Sequence, residues 1–256
     1  MVSRSRLIAA FGSFFFAVIL LSGAGGGYTT GQPRLDKLLA SDPGEWGRLV
    51  GADSDPYFDE LRKLNPNFDR GAKESITTPI QKIVLSLFAL QRRDGVIIEL
   101  GSWTGGGALL MAPFLTRDAA YHAVDTFDAE NMPDKYIRNY LRGRKHIDVF
   151  KENVAPVSRK VVMHQGLTNE VVKTWPRDLK ADLLFIDADH SYKGVSSDWR
   201  NWSPFVKKGG IIVFHDYYSD SSKGYPGLRR FIDKQIVPLA GRDFHTVQGL
   251  AWYTVR

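Results

Sequence analysis

The sequence contains no cysteine among its 256 residues. Without thiols the chain cannot form disulfides, bind zinc through sulfur or use a thiol nucleophile. The absence does not identify a compartment, because many cytoplasmic and many secreted proteins lack disulfides.

The sequence also lacks a stripe of lysine and arginine with interleaved aromatic residues. Its 34 basic and 28 acidic residues give a net charge of only +6. A mild basic excess of this kind is typical of an ordinary solvated surface. We therefore expect no nucleic-acid partner.

The first 27 residues differ in character from the rest. An uncharged apolar run from Leu7 to Leu21 follows two arginines, and the small residues after it suit signal-peptidase cleavage after Ala24. The run is shorter than the roughly 17–25 residues of a membrane-spanning helix, although residues 7–24 together make a marginal anchor. Three interpretations stay open: a cleaved secretory signal, a membrane anchor, and a start codon placed upstream of a cytoplasmic protein.

The remainder of the chain reads as two parts. Residues 28–75 are polar and rich in turn-forming pairs, which predicts an N-terminal lead-in rather than a second domain. In residues 76–256, helical patterns alternate with five short apolar runs of strand length. The first helix begins at Thr78-Pro79, and the chain ends in a predicted hairpin around Gln248-Gly249. This alternation predicts an α/β fold, a Rossmann-like doubly wound sheet with mostly parallel strands and an antiparallel last strand.

Polar residues stand at the predicted carboxyl ends of these strands, where open α/β sheets bind their ligands. They are Glu99, Gly101, Asp125, Gln165, Asp187, Asp189, His190, His215 and Asp216. Asp125 ends the second strand, where a carboxylate can accept hydrogen bonds from both hydroxyls of a ribose. Packing alone does not explain a polar group at every strand end, so we expect a ligand site there.

The loop after the first strand reads ELGSWTGGGALL. Its glycines allow a tight turn and a close approach of the backbone to a ligand. The G-x-x-x-G-G-G spacing differs from the G-x-G-x-x-G of dinucleotide binders, and no G-K-S/T follows. A P-loop is therefore excluded and a nicotinamide oxidoreductase is disfavoured.

Four motifs, ELGSWTG, AVDTFD, FIDADHSY and GGIIVFHDY, together resemble those of class I S-adenosylmethionine-dependent methyltransferases. The similarity is greatest to antibiotic and sugar O-methyltransferases and to cephalosporin-type methyltransferases, and it covers residues 76–256. It implies a seven-stranded sheet with S-adenosylmethionine bound at the strand ends. The implied cofactor-binding residues are Glu99, Gly101, Ser102, Trp103, Gly105, Asp125, Gln165, Gly166 and Asp187.

Within this set, the resemblance places Glu99, Gly101 and Gly105 at the methionine and ribose part of the cofactor. Asp125 would hold the ribose hydroxyls, and Gln165-Gly166 would lie near the adenine. Trp103 departs from the small residues of such loops, and it either walls the cofactor or packs against the protein.

The resemblance also implies a divalent metal ion beside the cofactor, held by Asp187, His215 and Asp216. Magnesium prefers oxygen ligands, whereas imidazole suits manganese, iron or zinc better, so the identity of the metal stays open. In a metal-free alternative, His190 or His215 takes the acceptor proton directly. Asp187, His190 and His215 are thus the candidate catalytic residues, and Asp189 is interpreted as the cap of the following helix.

The predicted function is methyl transfer from S-adenosylmethionine to a hydroxyl of a small acceptor, a sugar or a natural product. The alternatives are a cofactor-binding protein without turnover and a metal-dependent hydrolase that uses Asp187, His215 and Asp216. Because S-adenosylmethionine is made in the cytosol, its supply favours a cytoplasmic protein or one at the inner membrane face. The signal-like N-terminus instead favours export, so the two observations disagree. A homo-oligomer stays open.

Overall fold

The computed structural model describes residues 29–131, 135–218 and 223–256. The predicted signal or anchor segment, residues 1–27, lies outside these ranges. Within them, every helix is too short or too polar to cross a membrane.

One sheet forms the centre of the molecule. Its strands are β1 (Val96–Leu100), β2 (Ala120–Asp125), β3 (Val161–Gln165), β4 (Ala181–Ile186), β5 (Val206–Tyr217), β6 (His245–Val247) and β7 (Gly249–Thr254). Their order across the sheet is β3-β2-β1-β4-β5-β7-β6. The first five run parallel, and β7 is antiparallel to both β5 and β6. The predicted seven-stranded, mostly parallel α/β sheet with an antiparallel last strand is confirmed.

Helices cover both faces of this sheet, which is why the central strands are apolar along their whole length. They are α1 (Pro33–Leu39), α2 (Trp46–Val50), α3 (Asp55–Leu64), α4 (Phe68–Glu74), α5 (Pro79–Gln91), α6 (Gly106–Met111), α7 (Lys135–Leu141), α8 (His146–Val154), α9 (Thr168–Val171), α10 (Tyr192–Trp202), α11 (Pro226–Phe231) and α12 (Val237–Ala240). A π-helical turn, Ile232–Ile236, joins the last two.

The helices before the sheet are part of its core. Leu35, Trp46, Leu61 and Phe68 are completely buried in the apolar cluster that α5 and β1 also enter. Full burial of an apolar side chain contributes about 1.5–3 kcal/mol. The segment that we expected to be a lead-in therefore supplies part of the main core and fixes the position of α5.

The start of α5 shows why a helix begins there. The Thr78 side chain accepts the backbone N–H of Gln81, and the Gln81 side chain accepts the backbone N–H of Thr78, a reciprocal capping box. Pro79 in the first turn loses no helical hydrogen bond. The predicted helix start at Thr78-Pro79 is confirmed. The Gln81 amide also donates to the carbonyl of Gln248, the single residue between β6 and β7, at 2.7 Å.

Candidate functional site

Two adjoining cavities open at the carboxyl ends of the parallel strands. The larger, of about 670 Å³, extends from the glycine loop after β1 across the ends of β2 and β3 to the first turns of α10. The smaller, of about 250 Å³, lies between the glycine loop, the end of β5 and the segment that joins α4 to α5. Gly101, Trp103, Asp187 and His190 line both cavities. A molecule in one cavity therefore borders directly on a molecule in the other.

The carboxylate of Asp125 holds the glycine loop against the end of β2. Its Oδ2 accepts the backbone N–H of Trp103 at 2.9 Å, and its Oδ1 accepts the N–H of Phe127 at 2.9 Å. Ionised carboxylate oxygens have further lone pairs. Asp125 lines the larger cavity, so it can accept hydrogen bonds from a ligand while it keeps the loop in place.

Gly101 allows two loops of the site to meet. Its φ of +87° lies in the left-handed region, and a Cβ there would stand 2.2 Å from the carbonyl oxygen of Asp187. Only glycine therefore lets the loop after β1 lie directly on the chain that follows β4.

Trp103 both packs and lines the cavities, so the two roles that the sequence left open coexist. Its ring lies 4.8 Å from the ring of His146 and 5.6 Å from that of Tyr140, centroid to centroid. It also borders the larger cavity beside Asp125.

Three buried polar side chains lie beneath the glycine loop, and we call Glu99, Ser102 and Tyr121 the buried polar set. Glu99 Oε2, Ser102 Oγ and the Tyr121 hydroxyl make no well-formed hydrogen bond among the residues that the structure describes. Burial raises the pKa of Glu99 to about 8, although Tyr121 and Ser102 offset part of the rise. Glu99 and Ser102 line the smaller cavity. Buried polar atoms without partners are costly, which suits a site completed by a ligand that brings hydrogen-bond donors.

Four charged side chains meet at the junction of the two cavities, and we call Asp187, His190, His215 and Asp216 the acid–histidine cluster. His215 Nδ1 lies 3.0 Å from Asp187 Oδ1. His190 Nε2 lies 3.2 Å from Asp216 Oδ2 and 3.4 Å from Asp187 Oδ1. His215 Nδ1 also lies 3.6 Å from Asp216 Oδ1, so each carboxylate lies close to both histidines.

A β-bulge brings consecutive residues of β5 into this cluster. Successive side chains of a regular strand point to opposite faces. The pairing of β5 with β7 shifts register between Phe214 and Tyr217, and Asp216 has a φ of +59°. A bulge re-aims side chains, and here it lets His215 and Asp216 serve one site.

The charges in the cluster stabilise one another. Burial by itself lowers the pKa of His190, but the nearby Asp187 and Asp216 outweigh it and raise the pKa to about 9. Asp187 and Asp216 likewise raise the pKa of His215 against the effect of burial. Burial would raise the pKa of Asp187, yet the two histidines lower it. In this arrangement His190 holds a proton at neutral pH and is not a free base.

The residues that could share one metal ion differ from the predicted set. Ligand atoms of Asp187, His190 and Asp216 all lie within 4.8 Å of one another. His215, which the resemblance placed among the ligands, instead contacts Asp187 through Nδ1, and its Nε2 lies 3.4 Å from Gln81 Oε1. Through this contact His215 can orient the carboxylate of Asp187.

Comparison with known proteins agrees with this geometry. A family model described as a methyltransferase domain matches residues 98–217, from β1 to the end of β5. This stretch of the chain is therefore similar to a methyltransferase domain. The match confirms the resemblance to methyltransferases seen in the sequence.

Solved structures share the fold of this chain at low sequence identity. The O-methyltransferase NovP is 18% identical, with a TM-score of 0.55 over 79% of this chain and 99% of NovP. TomG from Streptomyces achromogenes, an O-methyltransferase in complex with S-adenosylmethionine, is 18% identical, with a TM-score of 0.52 over 84% of this chain and all of TomG. The methyltransferase PaMTH1 of Podospora anserina is 14% identical, with a TM-score of 0.52 over 79% of this chain and 94% of PaMTH1.

A curated relative adds no activity. The chain is 25% identical over 144 residues to the uncharacterized protein R132 of Acanthamoeba polyphaga mimivirus. The match covers 56% of this chain and 61% of that protein, so it spans less than two thirds of the relative.

Two of the predicted site residues have surroundings that differ from expectation. Gln165 is exposed, and its amide donates to the carbonyl of Thr126 at 3.2 Å, while its neighbour Gly166 lines the larger cavity. The cap of α10 is Ser191, whose side chain accepts the N–H of Gly194. Asp189 accepts the N–H of Ser191 at 2.7 Å, so it orders the turn before the helix rather than capping it.

Several residues that line the cavities are not among the predicted site residues. Ser75 and Tyr225 line the smaller cavity, and the Tyr225 ring stacks on His190 at 4.1 Å. Asp198, in the middle of α10, lines the larger cavity although it is only 3% exposed. None of them belongs to a strand-end motif. A polar residue on the otherwise packed face of α10 was the only available sign of Asp198.

Proposed function

We propose that the protein is an S-adenosylmethionine-dependent O-methyltransferase that acts on a hydroxyl of a small acceptor. The observation that carries the proposal is the position of the acid–histidine cluster at the junction of the two cavities. The larger cavity has the volume of a small-molecule or cofactor site, and the smaller one has room for the reacting part of an acceptor. The methyl group and the hydroxyl would meet beside Asp187.

The residues present fit the cofactor. Asp125 offers carboxylate oxygens at the larger cavity, where ribose hydroxyls would donate to them. The free Oε2 of Glu99 would accept from the ammonium of the methionine part, which would also draw Glu99 into its ionised form. S-adenosylmethionine carries the reactive methyl group, so the protein needs only to bind, align and keep water away.

The acceptor hydroxyl must lose its proton, and the cluster offers two oxygens and one nitrogen for a cation. Asp187, His190 and Asp216 would hold a divalent metal, which lowers the pKa of a bound hydroxyl. The mixed donor set favours manganese or a similar ion over magnesium. Since His190 must be deprotonated to act as a ligand, the metal and a proton would compete for its Nε2.

The mouth of the smaller cavity supports an acceptor with an apolar part. Ile76 is 64% exposed and Tyr225 is 48% exposed there. A sugar or a natural product that bears one hydroxyl near an apolar ring or chain would contact both.

The proposed activity requires access to S-adenosylmethionine, so we expect the domain to face the cytosol. A C-terminally tagged full chain should fractionate with the cytosol or with the inner membrane face. Exclusive recovery of an exported, processed form would contradict the proposed function.

The decisive experiment is a calorimetric titration of S-adenosylmethionine into the full chain, with and without manganese. We expect micromolar binding, followed by metal-dependent methyl transfer from labelled cofactor in a screen of hydroxylated sugars and phenols. If a folded sample binds no cofactor under either condition, the chain shares only its fold with the O-methyltransferases, and the proposed function is wrong. Full transfer in excess chelator would remove the metal from the proposal.

A further inference from the structure

The far end of the larger cavity, away from the acid–histidine cluster, lies between two elements. One is the segment of residues 166–169 that joins β3 to α9, and the other is the first half of α10. The two are tied together, because the indole of Trp202 on α10 donates to the carbonyl of Thr168 at 3.2 Å. The two elements that form this wall of the cavity are thus fixed to each other.

Asp198 stands in that wall with half of its carboxylate satisfied. Its Oδ1 accepts the hydroxyl of Thr168. Its Oδ2 is buried and, in the part of the chain that the structure describes, has no hydrogen-bond partner. Burial raises the pKa of Asp198 to about 6, so the group is still largely ionised at neutral pH. An ionised, buried acceptor with no donor is costly unless a ligand supplies one.

The proposed cofactor would present its base to this wall. The methyl group has to reach the junction with the smaller cavity, at Asp187 and His190, and the ribose would lie at Asp125. The adenine must then extend in the remaining direction. Gly166 directly follows the strand beside Asp125, since its N–H donates to the Asp125 carbonyl at 2.9 Å. From there the wall leads through Thr168 to Asp198.

We propose that Asp198 is a specificity-determining residue, whose free Oδ2 accepts a hydrogen bond from the exocyclic amine of the adenine. This inference rests on the proposed function. According to this inference, Asp198 on α10 makes the protein prefer a purine with an amino group at position 6 over one with a carbonyl group there. A carbonyl oxygen at that position would face the carboxylate oxygen with no proton between them. Thr168 positions the carboxylate through its other oxygen.

The test compares two ligands, S-adenosylhomocysteine and its deaminated analogue S-inosylhomocysteine, by calorimetric titration into the full chain. The wild type should bind the adenosyl compound at least about tenfold more tightly, as expected where a buried polar group loses its partner. Asp198→Asn places an amide there that can donate to the 6-oxo group. Its preference should fall by about tenfold or more, or reverse.

Thr168→Val is the matched control. It removes the hydroxyl that contacts Oδ1 but leaves Oδ2, so it should weaken both ligands to a similar extent and keep the preference for adenosine. If Asp198 only fastens the two elements together, Asp198→Asn would behave in the same way as Thr168→Val. That outcome overturns the assignment, as does equal binding of the two ligands to the wild type.

Two further outcomes are also informative. If Asp198→Asn does not fold, Asp198→Ser takes its place, and a retained adenosine preference in that variant overturns the inference. If the wild type binds neither ligand, the proposed function itself fails and the inference fails with it. Binding of the adenosyl compound without discrimination, by contrast, leaves the proposed function standing and removes only the role of Asp198.

Discussion

The acid–histidine cluster and two members of the buried polar set, Glu99 and Ser102, line the same small cavity, yet the polar groups of the two sets differ in how far they are paired. In the cluster, two carboxylates and two histidines compensate one another at distances of 3.0 to 3.4 Å for the pairs Asp187–His215, Asp216–His190 and Asp187–His190. In the buried polar set, Glu99 Oε2, Ser102 Oγ and the Tyr121 hydroxyl make no well-formed hydrogen bond among the described residues, although the two hydroxyls act on Glu99 and lower its pKa. Groups that already neutralise one another suit proton and cation handling, whereas unpaired groups suit the docking of a ligand.

The largest expected effect tests the cluster. Asp187→Asn removes the charge that both histidines share, so we expect methyl transfer to fall by about 100-fold or more. Affinity for S-adenosylmethionine should change by less than about threefold, since the variant keeps an oxygen at the site. Transfer rates with labelled cofactor and calorimetric titration measure the two quantities.

Asp182→Asn is the matched control for that variant. Asp182 lies on the same strand but at its opposite end, where it binds the N–H of Val96 and the Lys207 ammonium. It should transfer methyl groups at nearly the wild-type rate. Equal losses in the two variants would mean that the cluster has no special part in the reaction.

The second largest expected effect concerns Asp125, whose carboxylate accepts two backbone N–H groups and also lines the larger cavity. Asp125→Ala should weaken S-adenosylmethionine binding by about 10- to 100-fold, the value of one or two charge-assisted hydrogen bonds. A small drop in thermal stability should accompany it, because the N–H groups of Trp103 and Phe127 lose their acceptor. Titration and thermal unfolding of the same samples separate the two. Unchanged affinity would remove the ribose assignment.

The third prediction tests the buried polar set through pH. In the unfolded chain Glu99 ionises near its ordinary pKa of 4.5, whereas in the folded chain its pKa is about 8. Between these values the folded state holds the extra proton, so the free energy of unfolding falls as pH rises, by about 1.4 kcal/mol per pH unit from this group. Glu99→Gln should remove this contribution, with a smaller loss of stability from pH 5.5 to 7.5 than in the wild type.

Urea unfolding of both proteins at those two pH values measures the difference. The result to expect is a variant that gains stability over the wild type at the higher pH. Parallel profiles would show that Glu99 is ionised in the folded protein and that the buried polar set is already satisfied.

The smallest expected effect lies at the end of β3. Gln165→Ala should change cofactor affinity by less than about threefold, because the side chain is exposed and its amide contacts the Thr126 carbonyl. Calorimetric titration of S-adenosylmethionine measures this affinity, and the affinities of the Asp198 variants serve for comparison. A loss of cofactor affinity as large as that expected for Asp125→Ala would show that Gln165 contacts the cofactor, as the resemblance implied.

Much of the fold followed from the sequence alone. Apolar runs of strand length, the Thr78-Pro79 helix start and the Gln248 hairpin depend on residues close in the chain, so local patterns were sufficient. The gathering of Asp125, Asp187 and Asp216 at one edge followed as well, because the carboxyl ends of parallel strands share that edge.

Tertiary structure decided which of those side chains face one another. The bulge at Asp216 depends on the pairing of β5 with β7, and in the folded chain ligand atoms of Asp187, His190 and Asp216 lie within 4.8 Å of one another. The site role of Asp198 and the place of α1 to α4 in the core came from contacts between residues far apart in sequence. Local sequence fixes where a strand ends, whereas the direction of a side chain depends on packing against neighbours that only the folded chain brings together.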